Sequence, residues 1–186
     1  MVEIKISKDN IDSILDSLLP ELTVCIDAID GQDEKTALIA GCASRAIPIV
    51  TCGGAAGRTD PTQIICDDIT KAKEDRLLFW CRKQLRKNNG FPKGPPNGKK
   101  NSHRFKKWNI LSVFSMEIQK DIKETESVGS LRTCDGSLGT ACFLTGTYGF
   151  VAASRVVDMI ATNNFIIPVA PFTLVPQSSE KSISKS

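Results

Sequence analysis

Residues Val24–Ile64, VCIDAIDGQDEKTALIAGCASRAIPIVTCGGAAGRTDPTQI, decide the fold. LTVCI, ending at Ile26, is a near-continuous apolar run, the pattern of a strand in a parallel sheet covered on both faces. Glu34–Ala46 then sets Ala37, Leu38, Ala40, Gly41 and Ala43 as small packing residues of a helix, and IPIVT resumes as a strand. Strand, helix and strand joined by short connections predict parallel neighbours with right-handed crossovers. Asp27 and Asp30 then lie at the carboxyl end of one strand, and the loop Thr51–Arg58, TCGGAAGR, at that of the next. Open α/β sheets bind ligands at this edge.

Working outward, VEIKI alternates with period two and reads as a strand. Ser7–Asn10 supply capping side chains before IDSILDSLL, a helix with Ile11, Ile14, Leu15, Leu18 and Leu19 on one face that ends at Pro20. TQIICDD is expected as an antiparallel strand at the sheet's margin. Lys71–Lys87 reads as a helix with Leu77, Leu78, Cys81 and Leu85 inward and Arg76, Lys83, Arg86 and Lys87 outward. Asn88–Lys107 holds Gly90, Gly94, Gly98, Pro92, Pro95 and Pro96 and is expected as a flexible basic loop. WNILSVFS is a further strand. Gly136–Ser154 is uncharged but rich in Gly, Ser, Thr and Ala, which favours a closely packed buried helix over a membrane span. Leu138, Cys142, Thr145, Gly149, Ala152, Val156 and Ile160 recur there at helical spacing. The expected organisation is one domain over 1–162, with the basic helix and loop of 71–107 inside it, and a poorly ordered tail over 163–186.

The 186 residues, 41% of them hydrophobic, suffice for one core and argue for a single domain or a fragment of a larger one. MVEIKISKDN carries charges where a signal peptide needs an apolar segment, so an intracellular protein is expected, in the cytoplasm or an organelle. The seven cysteines form no C-x-x-C pair, which argues against a zinc or dithiol motif. The single histidine, His103, lies in the Gly/Pro/Lys-rich stretch, a poor place for a Ser-His-Asp or Cys-His engine. The net charge of +3 conceals an asymmetry: thirteen of the 24 Lys and Arg fall between Lys71 and Lys107, against only Glu74 and Asp75. Such a block is the footprint expected for a polyanionic partner, or else a solvated helix face and loop.

As bare patterns the chemistry-bearing pieces are generic. Asp27 and Asp30 could hold Mg²⁺ bridging nucleotide phosphates, or Asp30 or Asp33 could cap the following helix. The glycine loop offers backbone N–H groups to a phosphate but has neither the P-loop lysine pattern nor a G-x-G-x-x-G spacing. Their combination is specific. Ile26–Asp30, Lys35–Ala40, Ile47–Thr51, Gly53-Gly54-Ala55 with Gly57, Asp60-Pro61-Thr62-Gln63-Ile64, Val113-Phe114-Ser115, and Cys134-Asp135-Gly136 through Gly149–Ala152 follow one another in a characteristic order. Over roughly residues 20–160 the chain resembles the ThiF/MoeB/HesA superfamily of ubiquitin-activating-type adenylating enzymes, and within it the tRNA threonylcarbamoyladenosine dehydratase family.

That resemblance implies an α/β fold: a Rossmann-like, mostly parallel sheet, partial because the first nucleotide-binding half is missing, with a basic helix–loop excursion. It implies ATP and Mg²⁺ as cofactors, tRNA as partner, a homodimer without a membrane span, and adenylation of a carboxylate on tRNA followed by cyclisation with release of AMP. Asp30 matches the superfamily's catalytic, metal and nucleotide aspartate, with Asp27 supporting it; Gly53, Gly54 and Gly57 belong to the nucleotide-side loop. Cys134 is a conditional catalytic residue, because relatives that activate carrier proteins use a cysteine thioester. Arg82, Lys83, Arg86, Lys87, Lys99, Lys100, Arg104, Lys106 and Lys107 are the candidate phosphate contacts. Phe105 and Trp108 are candidates for stacking on a base or for packing. The superfamily's N-terminal glycine motif finds no counterpart here, so an N-terminally truncated protein, inactive alone, is expected. Two alternatives stay open: an adenylating enzyme for a ubiquitin-like or sulfur-carrier protein, and a non-catalytic tRNA-binding remnant.

Overall fold

In the computed structural model, which describes residues 4–92, 107–118 and 139–169, the apolar spacings of the sequence become four strands and four long helices. α1 (Ile11–Leu18) buries Ile11 and Leu15. β1 (Cys25–Asp27), α2 (Gln32–Ser44) and β2 (Ile49–Cys52) follow. β3 (Ile64–Asp68), α3 (Arg76–Asn88), β4 (Leu111–Ser115) and α4 (Cys142–Thr162) complete the described residues. The sheet order is β1-β2-β4-β3; β1, β2 and β4 run parallel, and β3 pairs antiparallel with β4. This is the α/β, mostly parallel sheet expected, with the antiparallel strand at its margin.

Side chains alternate across each strand, so the sheet feeds two cores. Ile49, Ile110 and Phe114 join α1, α2 and α3 on one face, while Val50 and Val113 meet Tyr148, Ala152 and Met159 of α4 on the other. α2 is the most enclosed helix, with Lys35, Thr36, Leu38, Ile39, Ala40, Gly41, Cys42 and Ala43 all buried. Gly41 permits the close approach of α1: a Cβ there would lie 2.7 Å from Leu15 Cδ1. On the surface, Arg45 ties α2 to α1 by donating to Asp12 and Asp16 at 2.8 and 2.7 Å.

Four expectations are corrected. Ile4–Ile6, the described part of VEIKI, is not a strand. β1 starts at Cys25, not Leu22, and its Ile26 is 50% exposed, because β1 is an edge strand that α4 only partly covers. α3 begins at Arg76 after a short 3-10 turn over Ile69–Lys71, so the helix does not extend back to Lys71. Finally, α4 is not buried all round: its inner face is Leu144, Tyr148, Ala152 and Met159, while Cys142, Thr145, Gly149 and Ile160 are exposed. Its outer side exposes Phe143, Phe150, Val157 and Ile160. No helix among the described residues is long and apolar enough to cross a membrane.

Residues 163–169 are not loose. Phe165 packs in the α4 core, Pro168 is buried, and Val169 N–H donates to Trp108 O at 2.8 Å. Residues 170–186, most of the expected tail, lie outside the described residues.

Candidate active-site edge

The carboxyl ends of β1, β2 and β4 fall on one edge of the sheet, which gathers Asp27–Asp30, Cys52–Arg58 and Ser115–Glu117. The antiparallel β3 starts there too, bringing Asp60-Pro61-Thr62-Gln63 to the same edge.

Asp27 ends β1 and is buried. Its Oδ2 accepts from Lys35 Nζ at 2.8 Å and from Thr51 Oγ1 at 2.5 Å, and Lys35 also donates to Thr51 Oγ1 at 3.1 Å. Its Oδ1 accepts from Ile29 N–H at 2.9 Å, closing the turn that presents Asp30. With both oxygens engaged and the side chain buried, Asp27 sets the turn from beneath. Burying the ion pair is tolerable because each charge finds its counter-charge and further hydrogen-bond partners. Asp30, by contrast, is exposed and has no side-chain partner among the described residues. It does not cap α2, whose N-cap is Gly31, and Asp33 accepts from Gln84 Nε2 on α3 at 2.8 Å.

The glycine loop is held from within. Gly53 N–H donates to Val113 O at 2.8 Å, Gly54 N–H to Asp75 Oδ2 at 2.9 Å, and Gly57 N–H to Gly139 O at 3.5 Å. The N–H groups of Gly53 and Gly54 are therefore spent within the fold, while that of Gly57 makes only a long contact. Gly53 is required because a Cβ would strike the Asp75 carboxylate, and Gly57 because its φ of 72° lies in the left-handed region. Among the described residues, the Ala55 and Ala56 N–H groups remain without a protein acceptor. Arg58, buried, clamps the loop: it donates to Gly54 O, Ser115 O, Glu117 O and Glu74 O at 3.1, 3.3, 2.6 and 2.7 Å. Tyr148 of α4 donates to the same Gly54 carbonyl at 3.2 Å, and its burial pushes the phenol up to about 12. The Glu117 carboxylate accepts from the Thr59 and Asp60 N–H groups, which hold it below the usual carboxylate range. Asp75 caps α3 through Leu78 N–H at 2.8 Å, and burial raises its carboxyl above the usual range despite that bond.

The basic helix divides in two. Lys83 and Lys87 are exposed, as expected for phosphate contacts. Arg82 is not: it is 6% exposed and donates to Ile69 O at 3.0 Å, holding the turn before α3, and burial lowers its pKa. Arg86 is half-buried, its guanidinium 5.1 Å from the Trp108 ring centre. Both corrections have one cause: α3 packs on the 3-10 turn and on Trp108, so its basic face is narrower than the sequence suggests. Trp108 is 1% exposed and a packing residue, tilted against Phe91 at 4.8 Å. Lys107 is exposed; Lys99, Lys100, Arg104, Phe105, Lys106 and Cys134 lie outside the described residues.

The sequence reading missed Lys35, Thr51, Arg58, Asp75 and Tyr148 as determinants of this edge. Lys35 left a signal, since it shares the inward helical spacing of Leu38, Ile39 and Cys42. Arg58 and Asp75 left none, because their partners are main-chain groups brought close only by the fold.

The chain is 39% identical over 137 residues to the tRNA threonylcarbamoyladenosine dehydratase of Haemophilus influenzae, covering 73% of this chain and 49% of that protein. It is 37% identical over 139 residues to the Escherichia coli protein of the same name, covering 70% and 48%. Among solved structures, the E. coli dehydratase TcdA in complex with AMP superposes with a TM-score of 0.68 at 30% identity, over 87% of this chain and 56% of that one. The same protein in complex with ATP gives 0.67 over the same shares. No protein-family model matches the chain. The chain spans about half the length of the curated relatives it matches.

Proposed function

Since this chain is a homologue of the tRNA threonylcarbamoyladenosine dehydratases over about half their length, we propose that it supplies the carboxyl-edge half of an ATP-dependent tRNA dehydratase site. In that reaction a carboxylate oxygen of the modified adenosine attacks the α-phosphorus of ATP, pyrophosphate leaves, and the acyl-adenylate cyclises with release of AMP. The observation that carries the reading is the contrast within one turn: Asp27 is locked inward by Lys35 and Thr51, so that Asp30 is fixed outward with its carboxylate unspent.

Asp30 fits a Mg²⁺ role, since a hard oxygen donor standing alone suits an ion that keeps several waters and is shared with substrate phosphates. No cluster of three metal-ligating side chains exists among the described residues, so the protein would contribute one carboxylate and the nucleotide the rest. The ion would neutralise charge developing on the phosphates. This chain's own residues do the positioning: Asp27 and Lys35 hold the turn, Arg58 and Tyr148 hold the loop backbone, and Ala55 and Ala56 offer N–H groups. The test is equilibrium binding of ATP with and without Mg²⁺ to the full chain and to Asp30→Ala. The reading expects binding that requires Mg²⁺ and falls at least about ten-fold in the variant; equal ATP binding by both proteins refutes the assignment of Asp30.

A homodimer belongs to the same reading. Phe143, Phe150, Val157 and Ile160 lie on one outer seam of α4 at spacings of seven, seven and three, with Gly146 and Ala153 between them. A seam with this heptad spacing suits a second helix of the same kind. Sedimentation equilibrium of the full chain is expected to show a dimer; a monomer at all concentrations removes this part.

A further inference from the structure

We propose that the exposed Phe79–Trp80 pair of α3, bordered by Lys73, Arg76, Lys83 and Lys87, is a stacking platform for an unpaired tRNA base. This rests on the tRNA reading above and says where on the chain the RNA sits. α3 turns Leu78, Cys81 and Leu85 inward, which leaves Phe79 and Trp80 48% and 37% exposed. Consecutive exposed aromatic rings are costly in water unless a partner covers them. The two rings are preorganised: they meet edge to face, centroids 5.4 Å apart at 80°, and Lys83 Nζ sits 4.4 Å from the centre of the Trp80 ring. One face of Trp80 thus carries a fixed ammonium, and Phe79 is braced with a ring open to solvent.

Beside Phe79 lies an open depression of about 240 Å³ lined by Lys73, Glu74, Asp75, Arg76, Phe79 and Ile118. Ile118, 72% exposed, extends its apolar wall. Asp75 joins this depression to the glycine loop, accepting from Leu78 N–H and from Gly54 N–H. A base stacked on Phe79 therefore lies next to the edge that presents the loop. Charge selects the partner: Lys73, Arg76, Lys83 and Lys87 are exposed and form no salt bridge among the described residues, Glu74 being the one exposed acid in their midst. Aromatic faces between unpaired cations fit single-stranded nucleic acid, whose bases stack while its phosphates pair.

The test uses the full chain, an unmodified tRNA transcript, filter retention over a salt series and tryptophan emission. The chain has two tryptophans, of which Trp108 is buried, so Trp80 reports the platform. The expected result is quenching of emission by tRNA that disappears in Trp80→Phe while retention persists. Phe79→Ala should lose roughly ten-fold in affinity at an unchanged salt slope, since it removes stacking and no phosphate contact. Lys83→Ala with Lys87→Ala should instead flatten the slope. If tRNA is retained but neither quenches Trp80 nor distinguishes Phe79→Ala, the platform is wrong and the tRNA reading stands. If wild type retains no tRNA at low salt, both fall. Emission that shifts with protein concentration and not with RNA would make the patch a protein contact and also overturn the proposal. Circular dichroism of each variant guards the comparison, and the wild-type quench decides the matter without any variant.

Discussion

α2 and α4 are both rich in small residues, yet they meet opposite fates. α2 lies between the sheet and two other helices, and buries even a lysine. α4 is the one described helix on the sheet's other face, so only the stripe from Leu144 to Met159 is covered and Phe150 stands 80% exposed. Burial of a helix is thus set by how many layers surround it rather than by its own apolar content. Small residues in α2 admit neighbours; along the outer side of α4, Gly146 and Gly149 face open space.

The contrast can be broken first at Lys35. Lys35→Met leaves the Asp27 carboxylate buried without its counter-charge, and a loss of about 3–5 kcal/mol is expected in urea denaturation. Pairing it with Asp27→Leu should recover much of that loss; a single variant as stable as wild type would mean that the ion pair does not hold this edge. A smaller effect is expected at Gly41. Gly41→Leu drives a side chain into Leu15 across the α1–α2 contact, costing about 1–3 kcal/mol in the same measurement, whereas Gly149→Leu, at an open position of α4 outside the named seam, should not lower stability. Equal effects of the two would erase the difference between the helices.

Asp75 gives a pH-dependent check. Its carboxyl binds a proton more tightly in the folded than in the unfolded chain, so the folded state gains stability as pH falls into the range between the ordinary carboxyl value and the raised one, and loses it as pH rises through that range. Asp75→Asn should remove this component from a plot of unfolding free energy against pH; an unchanged slope would place the titration elsewhere. The smallest stability effect belongs to Phe150→Ser, within about 0.5 kcal/mol for an exposed side chain. It should nevertheless weaken self-association in sedimentation, and a dimer of undiminished strength would move the interface away from α4.

Much of the fold was legible because local patterns and tertiary demands agree. The periodicities of Ile11–Leu18, Gln32–Ser44 and Ile49–Cys52 name their elements, and TQIICDD reads as the antiparallel margin it forms. At the edge, the exposed place of Asp30 in the turn after β1 was legible from its position beyond a strand. The roles of the glycines were legible only as a need for small residues: Gly53 makes room for Asp75, and the N–H of Gly54 is already taken. Arg82 and Lys83 are adjacent in sequence and alike in charge, yet one braces a buried carbonyl and the other lies over an exposed ring.

By itself, the sequence determined an α/β chain with an acidic turn and a glycine loop on one sheet edge, and a kinship with tRNA threonylcarbamoyladenosine dehydratases. These follow from hydrophobic period, glycine placement and residue order, all written along the chain. Only the tertiary structure decided which carboxylate is spent and which is free, which cations are bonded inward, and which helix keeps an apolar face uncovered. Those outcomes depend on groups far apart in sequence, such as Asp27 with Thr51, Gly54 with Asp75 and Arg58 with Glu117. Hydrogen bonds are short-ranged and directional, and no local pattern announces a partner that folding brings from elsewhere.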